Sequence, residues 1–402
     1  MKFLRLLFVP VALAIVLVIR LIAPWKLVRF GEHWDSRLGH LVGNTECYLC
    51  EKDAGIQPKA FDIWASIGTS NECIEKKYRK LLHIYPTWLV SIVSKVNVMF
   101  SGWDKHYIRT TQLDRDVNNL WEIYSPHIGF TELEERKGQA LLRSLGIQEG
   151  AKWVCLFVRD SAYLKAKMPG LDFSYHDYRD SDIDDCIPAV KKLVENGYYV
   201  VRMGEIVEKS FDTAIDYSLS GKRTDFGDLY LCAKCKFFFG TSSGLMAIAQ
   251  AFYRPVGVIN YVPLEYLPTY ANGLAIWKHH FKDGKELSVE EIGEAGKFMS
   301  SRQFEAAGIT LKDNTPTEIY ELADEMCNRL DESQTEFWDK FPRSLENEKP
   351  LHGNIRLRIG REFLKSHEKQ SPKSILERMA AAEEIGIIEV MSEARKIMGE
   401  KA

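Results

Sequence analysis

The chain has 402 residues, which is more than one ordinary domain needs and enough for two. Its 53 basic and 56 acidic residues give a formal net charge of −3, so the overall charge gives no reason to expect nucleic acid as a partner. Hydrophobic residues make up 46% of the chain and aromatic residues 11%, and this composition supports large buried cores.

The chain begins with an apolar segment over residues 3–24, interrupted by Arg5, Pro10 and Arg20. Its charge-free part, residues 6–19, is short for a bilayer, which needs ~20 residues, and reaches that length only if Arg20 extends its charge to the interface. No signal-peptidase site is evident, so the segment predicts an uncleaved membrane anchor. A helix lying in the membrane interface is an equally physical alternative.

A short strand over residues 26–31 and a glycine-containing loop then lead into a helix, which indicates the start of a βα unit. His40 lies in that loop, where it is a candidate for ligand binding or proton transfer, and a packed imidazole is the alternative. Residues 61–65 predict another strand. Residues 132–145 predict an amphipathic helix capped by Thr131, and we place a domain boundary after it.

The following part of the chain alternates strands with helices. Strands are predicted to begin near Trp153, Tyr198, Cys235 and Val256, with a helix between successive strands. This alternation is typical of a doubly wound parallel sheet. Further on, residues 287–292 and 314–319 have the pattern of capped helix starts, and the second continues as an amphipathic helix to residue 330.

Polar side chains follow three of the predicted strands. Arg159 and Asp160 end the first strand, Arg202 ends the second, and Thr241 to Ser243 lie between a strand and a helix N-terminus. Because the carboxyl ends of parallel strands meet at one edge, these groups predict an anion pocket of diphosphate size. In the alternative, the hydroxyls only cap the helix and nearby aspartates pair with the arginines.

Eight cysteines are spread along the chain, and two pairs have the spacing Cys47-x-x-Cys50 and Cys232-x-x-Cys235. A zinc site needs such pairs on tight turns, whereas Cys235 leads into an apolar strand. We therefore interpret them as core thiols in a reducing compartment and predict no metal site.

Several motifs carry a resemblance: Arg29-Phe-Gly31 with Arg37-Leu-Gly-His40, Phe157-Val-Arg-Asp-Ser-Ala-Tyr-Leu164, His176-Asp-Tyr-Arg179, Tyr199-Val-Val-Arg-Met-Gly204, Gly221-Lys-Arg-Thr-Asp225, Thr241-Ser-Ser-Gly-Leu245, Arg254-Pro255 and Asn314-Thr-Pro316. Together they resemble a family of bacterial glycosyltransferases typically encoded among surface-polysaccharide genes. The resemblance runs from about residue 26 to the segment at residue 355, and the combination is more specific than any single motif. The chain departs from the family pattern at Met246 and Ala249.

The resemblance implies an α/β fold with two Rossmann-like domains of the GT-B type, here with an N-terminal hydrophobic helix. The implied organisation is a membrane anchor or interfacial helix over residues 1–25, an acceptor-side domain over 26–148, a nucleotide-sugar donor domain over 149–335 and C-terminal helices or tail over 336–402. The implied partners are a nucleotide-sugar donor and a glycan or lipid-linked acceptor. The apolar first segment is longer than the family pattern, and it separately predicts attachment to the cytoplasmic face of the inner membrane.

The implied reaction moves a sugar from a nucleoside diphosphate to the acceptor, with no metal or cofactor. Arg159, Arg202 and the segment from Thr241 through Ser242, Ser243 and Gly244 to Leu245 would neutralise the leaving phosphate, assisted by Lys222 or Arg223. Asp160, His40 or Asp177 would serve as the base that takes the proton of the acceptor hydroxyl.

Two other functions compete with this one. A plain dinucleotide-binding enzyme is disfavoured because no Gly-x-Gly-x-x-Gly motif follows a strand. The second alternative is a non-catalytic, membrane-tethered scaffold with a degenerate sugar-nucleotide-binding fold, and the departures at Met246 and Ala249 support it. Loss of nucleotide binding on substitution of Arg202 would distinguish the enzyme from the scaffold.

Overall fold

The computed structural model describes residues 8–113, 115–167, 170, 172, 174–264, 272–296, 298–331, 358–360 and 362–363. The chain divides into two compact units, each described by itself below. Unit 1 comprises Met1–Asp116 and Leu120–Phe130, and unit 2 comprises Val117–Asn119 and Thr131–Ala402.

Unit 1 contains a parallel three-stranded sheet in the order β1-β2-β3. Helices α2 and α3 connect its strands, so the sheet is a βαβαβ unit, as the sequence predicted for its first strand and helix. The elements of unit 1 are α1 (Val9–Ile22), β1 (Val28–His33), α2 (Leu38–Asp53), β2 (Phe61–Ser66), α3 (Glu72–Tyr78), β3 (His83–Pro86) and α4 (Thr87–Val98).

The apolar N-terminal segment forms helix α1, which packs on α4. One face of α1, with Ala12, Val16 and Ile19, lies in the same buried cluster as residues of α4 and of the sheet. Arg20 does not extend away from the protein, because its guanidinium donates to Asn97 Oδ1 at 3.2 Å and to the Ser101 carbonyl at 2.8 Å. Within the described residues, no helix combines the length and apolar character needed to cross a bilayer.

Unit 2 contains a seven-stranded sheet in the order β13-β9-β8-β7-β4-β5-β6, and all its paired strands are parallel. A small antiparallel sheet has the order β11-β10-β12. The strands of unit 2 are β4 (Trp153–Phe157), β5 (Tyr199–Arg202), β6 (Ile215–Asp216), β7 (Phe237–Gly240), β8 (Val256–Tyr261), β9 (Gly273–Trp277), β10 (His279–Lys282), β11 (Lys285–Glu286), β12 (Ile309–Lys312) and β13 (Arg358–Ile359).

The order of the large sheet confirms the predicted doubly wound topology. From β4 the chain moves outward to β5 and β6, then returns to β7 and moves outward in the other direction to β8 and β9. The direction reverses between β4 and β7, where ligands of such sheets bind. The helices of unit 2 are α5 (Glu132–Ser144), α6 (Ala162–Lys167), α7 (Ile187–Glu195), α8 (Asp225–Lys234), α9 (Gly244–Ala251), α10 (Val289–Ala295), α11 (Ser301–Ala306) and α12 (Pro316–Asp331).

Local signals in the sequence located the capped helices well. Thr131 and Glu134 form the predicted capping box of α5, and Ser288 caps α10 in the same way. Strand β9 is followed along the chain by the short strands β10, β11, β12 and β13. The C-terminal helices or tail implied over residues 336–402 lie outside the described residues, apart from 358–360 and 362–363.

Candidate active site

The candidate site lies at the carboxyl ends of β4 and β7, where the winding of the sheet reverses. The two strand ends are held together because the backbone N–H of Arg159 donates to Thr241 Oγ1 at 2.8 Å. Gly240 permits this approach, since a Cβ atom there would lie 1.9 Å from the Phe157 carbonyl oxygen and its φ of 132° disfavours other residues. The segment after β7 is therefore fixed beside Arg159.

Helix α9 begins directly after that segment. Ser243 is its N-cap, and its hydroxyl accepts a hydrogen bond from the N–H of Met246 at 3.2 Å. The first N–H groups of a helix have no partner within the helix, and this cap satisfies one of them. The Ser243 hydroxyl accepts from Met246 and not from Gly244 or Leu245, whose N–H groups donate to no capping side chain within the described part of the chain. They give the turn capacity for an anion.

The Arg179 guanidinium contacts this turn, and the Arg159 guanidinium lies near that of Arg179. Arg159 Nε donates to Asp180 Oδ1 at 3.0 Å, and Arg179 Nη2 lies 3.5 Å from the carbonyl oxygen of Ser242. Burial and the positive charge of Arg179 lower the pKa of Arg159, although Asp180 opposes this. The two cations thus lie close enough to repel each other beside a helix N-terminus, and a bound anion would relieve that repulsion.

A pocket opens next to Arg159. Asp177 lies on its wall and is exposed to solvent, which suits a proton acceptor. Asp160 is committed to the backbone instead, because its carboxylate accepts from the N–H groups of Ala162 and Glu208, both at 3.0 Å. The pocket is lined by Arg159, Ser161, Leu164, Lys165, Asp172, Ser174, Asp177 and Asp180.

Arg202 is not brought to this pocket. Its side chain is 1% exposed, and Nη1 donates to Asp216 Oδ2 at 3.0 Å, to the Lys209 carbonyl at 3.0 Å and to Ser218 Oγ at 3.1 Å. In this structure the group ties β5 to β6 and the loop between them. The contact of Arg202 with the nucleotide-sugar substrate, which the sequence analysis predicts, remains untested.

Lys222 and Arg223 precede α8, and both have partners inside unit 2. Lys222 donates to the Ser144 carbonyl, and Arg223 Nη2 pairs with Asp228 at 2.7 Å. Their predicted assistance to phosphate binding therefore requires that a ligand compete with these partners. Thr241 and Leu245 are buried, while Ser242, Ser243 and Gly244 are half-buried.

His40 lies in unit 1, on the first turn of α2. Asn44 Nδ2 donates to the Thr110 carbonyl at 3.1 Å, which directs Asn44 Oδ1 to His40 Nδ1, also at 3.1 Å. Nδ1 must therefore carry the proton, and Nε2 is left as the acceptor. Burial lowers the pKa of His40, so the ring is neutral at pH 7 and able to take a proton.

Sequence reasoning missed Arg179 as a site residue, and it missed a polar cluster near His40. Arg179 belongs to a motif quoted above, but its sequence gives no sign that it reaches the turn before α9. His33 is the last residue of β1 and Asp35 follows it, and the fully buried Asp35 accepts a hydrogen bond from Ser66 at the end of β2. Polar residues at strand ends were the available signal.

No family model matches the chain, and the comparison with curated proteins finds no significant match. Among solved structures, similarity is found to the ADP-heptose lipopolysaccharide heptosyltransferase II of E. coli, with 14% identity, 76% of this chain and 100% of that chain covered, and a TM-score of 0.41. A glycosyl transferase of family 9 from Veillonella parvula is similar with 11% identity, coverage of 75% and 98%, and a TM-score of 0.43. At this level the similarity carries no argument about activity.

Proposed function

We propose that the protein is a glycosyltransferase that moves a sugar from a nucleoside-diphosphate sugar to a surface-glycan or lipid-linked acceptor. The observation that carries the diphosphate site is the convergence of Arg159, Arg179 and the N-terminus of α9 where the winding of the sheet reverses. The sugar-transfer chemistry rests on the motif resemblance described above. Both parts are needed, because an anion site alone does not specify a reaction.

Sugar transfer from a nucleoside diphosphate requires stabilisation of the negative charge on the leaving phosphate. Breaking the bond between sugar and diphosphate builds negative charge on phosphate oxygen, and Arg159, Arg179 and the N–H groups of Gly244 and Leu245 are arranged to receive it. This set of donors supplies the positive charge without a metal ion.

On the acceptor side we assign His40 as the base. Its Nε2 is the proton-accepting nitrogen, and its neutral ring is suited to take the proton of an attacking hydroxyl. Asp177 is the alternative base in unit 2, since it is exposed in the pocket beside Arg159. Asp160 ranks below both because two backbone N–H groups already occupy its oxygens.

We further propose that unit 1 binds the cytoplasmic membrane surface through α1 and α4. Val18 and Leu21 on α1 are 56% and 72% exposed, and Trp25 just after it is 82% exposed. On α4, Trp88 is 59% exposed, and Met99 just after the helix is 82% exposed. An apolar face of two packed helices with tryptophans at its margin is typical of interfacial binding and places the enzyme near lipid-linked acceptors.

Titration with nucleoside diphosphates tests the donor site. The intact protein should bind at least one of the uridine, guanosine, cytidine, thymidine and adenosine diphosphates, measured by calorimetry and by thermal shift. Arg159→Ala and Arg179→Ala should each weaken binding about tenfold to hundredfold, because each removes a charge-assisted contact worth about 1.5–3 kcal/mol.

Two variants serve as controls. Lys192→Ala changes a cation of α7 that pairs with Asp324 at 3.1 Å, and His40→Gln changes the other unit, so both should bind nucleotide like the wild type. If no nucleoside diphosphate binds, the donor site is wrong and the non-catalytic scaffold becomes the better hypothesis.

A further inference from the structure

Unit 1 contains a cluster of potential metal ligands that is independent of the proposed donor site. Glu46 and Cys50 are one turn apart on α2, which places them on the same face of the helix. His127, from the end of unit 1, lies against that face. One potential ligand atom from each of the three residues lies within 4.8 Å of the other two.

We propose that Glu46, Cys50 and His127 bind a zinc-type divalent transition metal, with Glu46 Oε2, Cys50 Sγ and His127 Nδ1 as ligand atoms. Three protein ligands of this kind leave a fourth position for water in a tetrahedral site. Sulfur and imidazole donors select zinc and related transition metals over magnesium or calcium.

Neighbouring side chains set the proton position on His127 and the orientation of the Glu46 carboxylate. Asp53 Oδ2 lies 3.1 Å from His127 Nε2, so it can accept the proton of that nitrogen and leave Nδ1 to face the metal. The hydroxyl of Tyr78 donates to Glu46 Oε1 at 2.9 Å, which leaves Oε2 directed to His127 Nδ1 at 2.8 Å. A carboxylate behind a ligating histidine is the usual arrangement around protein-bound zinc.

The charge around the cluster also suits a cation. Cys50 lies in the field of four carboxyl groups, those of Glu46, Asp116, Asp53 and Glu51. Glu46 and Cys50 are each 2% exposed, so water screens little of this charge. Binding would release the thiol proton of Cys50 and the proton shared by His127 Nδ1 and Glu46, and the metal would take their place.

The sequence analysis interpreted Cys47 and Cys50 as core thiols and predicted no metal site, so the proposal departs from it. The spacing Cys47-x-x-Cys50 raises the possibility of a zinc knuckle, but both cysteines lie within α2 rather than on a tight turn. The ligand set proposed here uses Cys50 without Cys47. The alternative without metal is a protonated His127 paired with Glu46 and Asp53, which the same distances allow.

Metal analysis of the intact protein, purified without a histidine tag, tests the proposal. After loading with zinc and dialysis we expect about one zinc per chain. Loading with cobalt should give the intense near-ultraviolet absorption of a thiolate bound to cobalt. Chelation should lower the melting temperature of the wild type, because a metal that binds only the folded state stabilises it.

Substitutions identify the ligands. Cys50→Ser should abolish the cobalt-thiolate absorption, and Glu46→Gln and His127→Gln should each lower zinc retention by at least about tenfold. Cys47→Ser and Cys73→Ser should retain zinc. If Cys50→Ser fails to fold, the proposal is tested by comparing the cobalt spectra of two other variants. The absorption should be weakened in Glu46→Gln and unchanged in Cys73→Ser. Wild-type protein that retains no zinc and has the same melting temperature with and without chelator overturns the proposal, as does equal zinc loss in Cys47→Ser and Cys50→Ser.

Discussion

His279 and His280 are adjacent in β10, yet their environments favour opposite protonation states. His279 contacts two carboxylates, with Nδ1 at 2.6 Å from Glu286 and Nε2 at 3.1 Å from Glu318, and the hydrogen bond to Glu318 is the main cause that raises its pKa. His280 is 2% exposed, its Nδ1 donates to the Lys278 carbonyl, and burial lowers its pKa to about 4. One side chain therefore stabilises the fold as a cation and the other as a neutral ring.

These shifts predict how pH affects stability through His280. A histidine whose folded pKa is lowered contributes stability above its unfolded pKa of about 6.5, and this contribution is lost as pH falls toward 4. Between pH 8 and pH 5 the wild type should lose about 2 kcal/mol through this residue alone. In urea denaturation, His280→Gln should lose less stability than the wild type over the same interval.

His279→Gln is the matched control, and it should behave in the opposite way. A raised pKa contributes stability below pH 6.5 that disappears as pH rises, so His279→Gln should be most destabilised at pH 5. Equal pH dependence in the wild type and His280→Gln would contradict the assignment of a buried neutral ring.

At the scale of elements, Arg202 has structural partners that its position in the sequence does not predict. It follows a buried strand, as a ligand-binding arginine would, but its partner Asp216 lies on the two-residue strand β6. So short a strand has no hydrophobic period to predict it. Breaking one side of a buried ion pair costs about 3–5 kcal/mol, because the remaining charge is left without compensation.

A double-mutant cycle tests this role. Asp216→Ala should destabilise unit 2 by about 3 kcal/mol or more, whereas adding Arg202→Met should recover part of the loss because no buried charge then remains. Unfolding by urea measures each variant. If Arg202→Met alone leaves stability unchanged but abolishes nucleotide binding, the predicted donor contact is right and the structural role is minor.

The sequence predicts the elements of unit 2 better than it predicts the contacts between their side chains. The alternation of apolar strands with capped helices is a local pattern, and it predicted β4, β5, β7 and β8 and the polar strand ends. Side-chain partners are not local. Arg179 reaches the turn before α9, and His127 reaches Glu46, only because the fold brings distant segments together. Candidate site residues were therefore located by element, and the pairing of Arg159 with a nearby aspartate was predicted only as an alternative.

At the scale of the whole molecule, the apolar face of α1 and α4 contrasts with a chain that is otherwise nearly balanced in charge. Exposed aliphatic and tryptophan side chains on two packed helices lower solubility, and large exposed apolar patches mark surfaces that bind a partner or a membrane. Lys95 and Lys105 are exposed on and after α4, so electrostatic attraction to anionic lipid adds to apolar burial. The face therefore predicts reversible binding to anionic membranes rather than insertion across them.

Vesicle sedimentation tests this prediction on the full chain. The wild type should sediment with vesicles that contain anionic phospholipid, and less so with zwitterionic vesicles or at high salt. The double variant Val18→Glu, Leu21→Glu should lose binding by at least about tenfold, because each change removes an aliphatic side chain worth about 1.5–3 kcal/mol on burial. Val194→Glu changes a residue of unit 2 that is 52% exposed, and it should bind like the wild type. Equal sedimentation of all three proteins, or no wild-type binding to either lipid, would contradict membrane binding through this face.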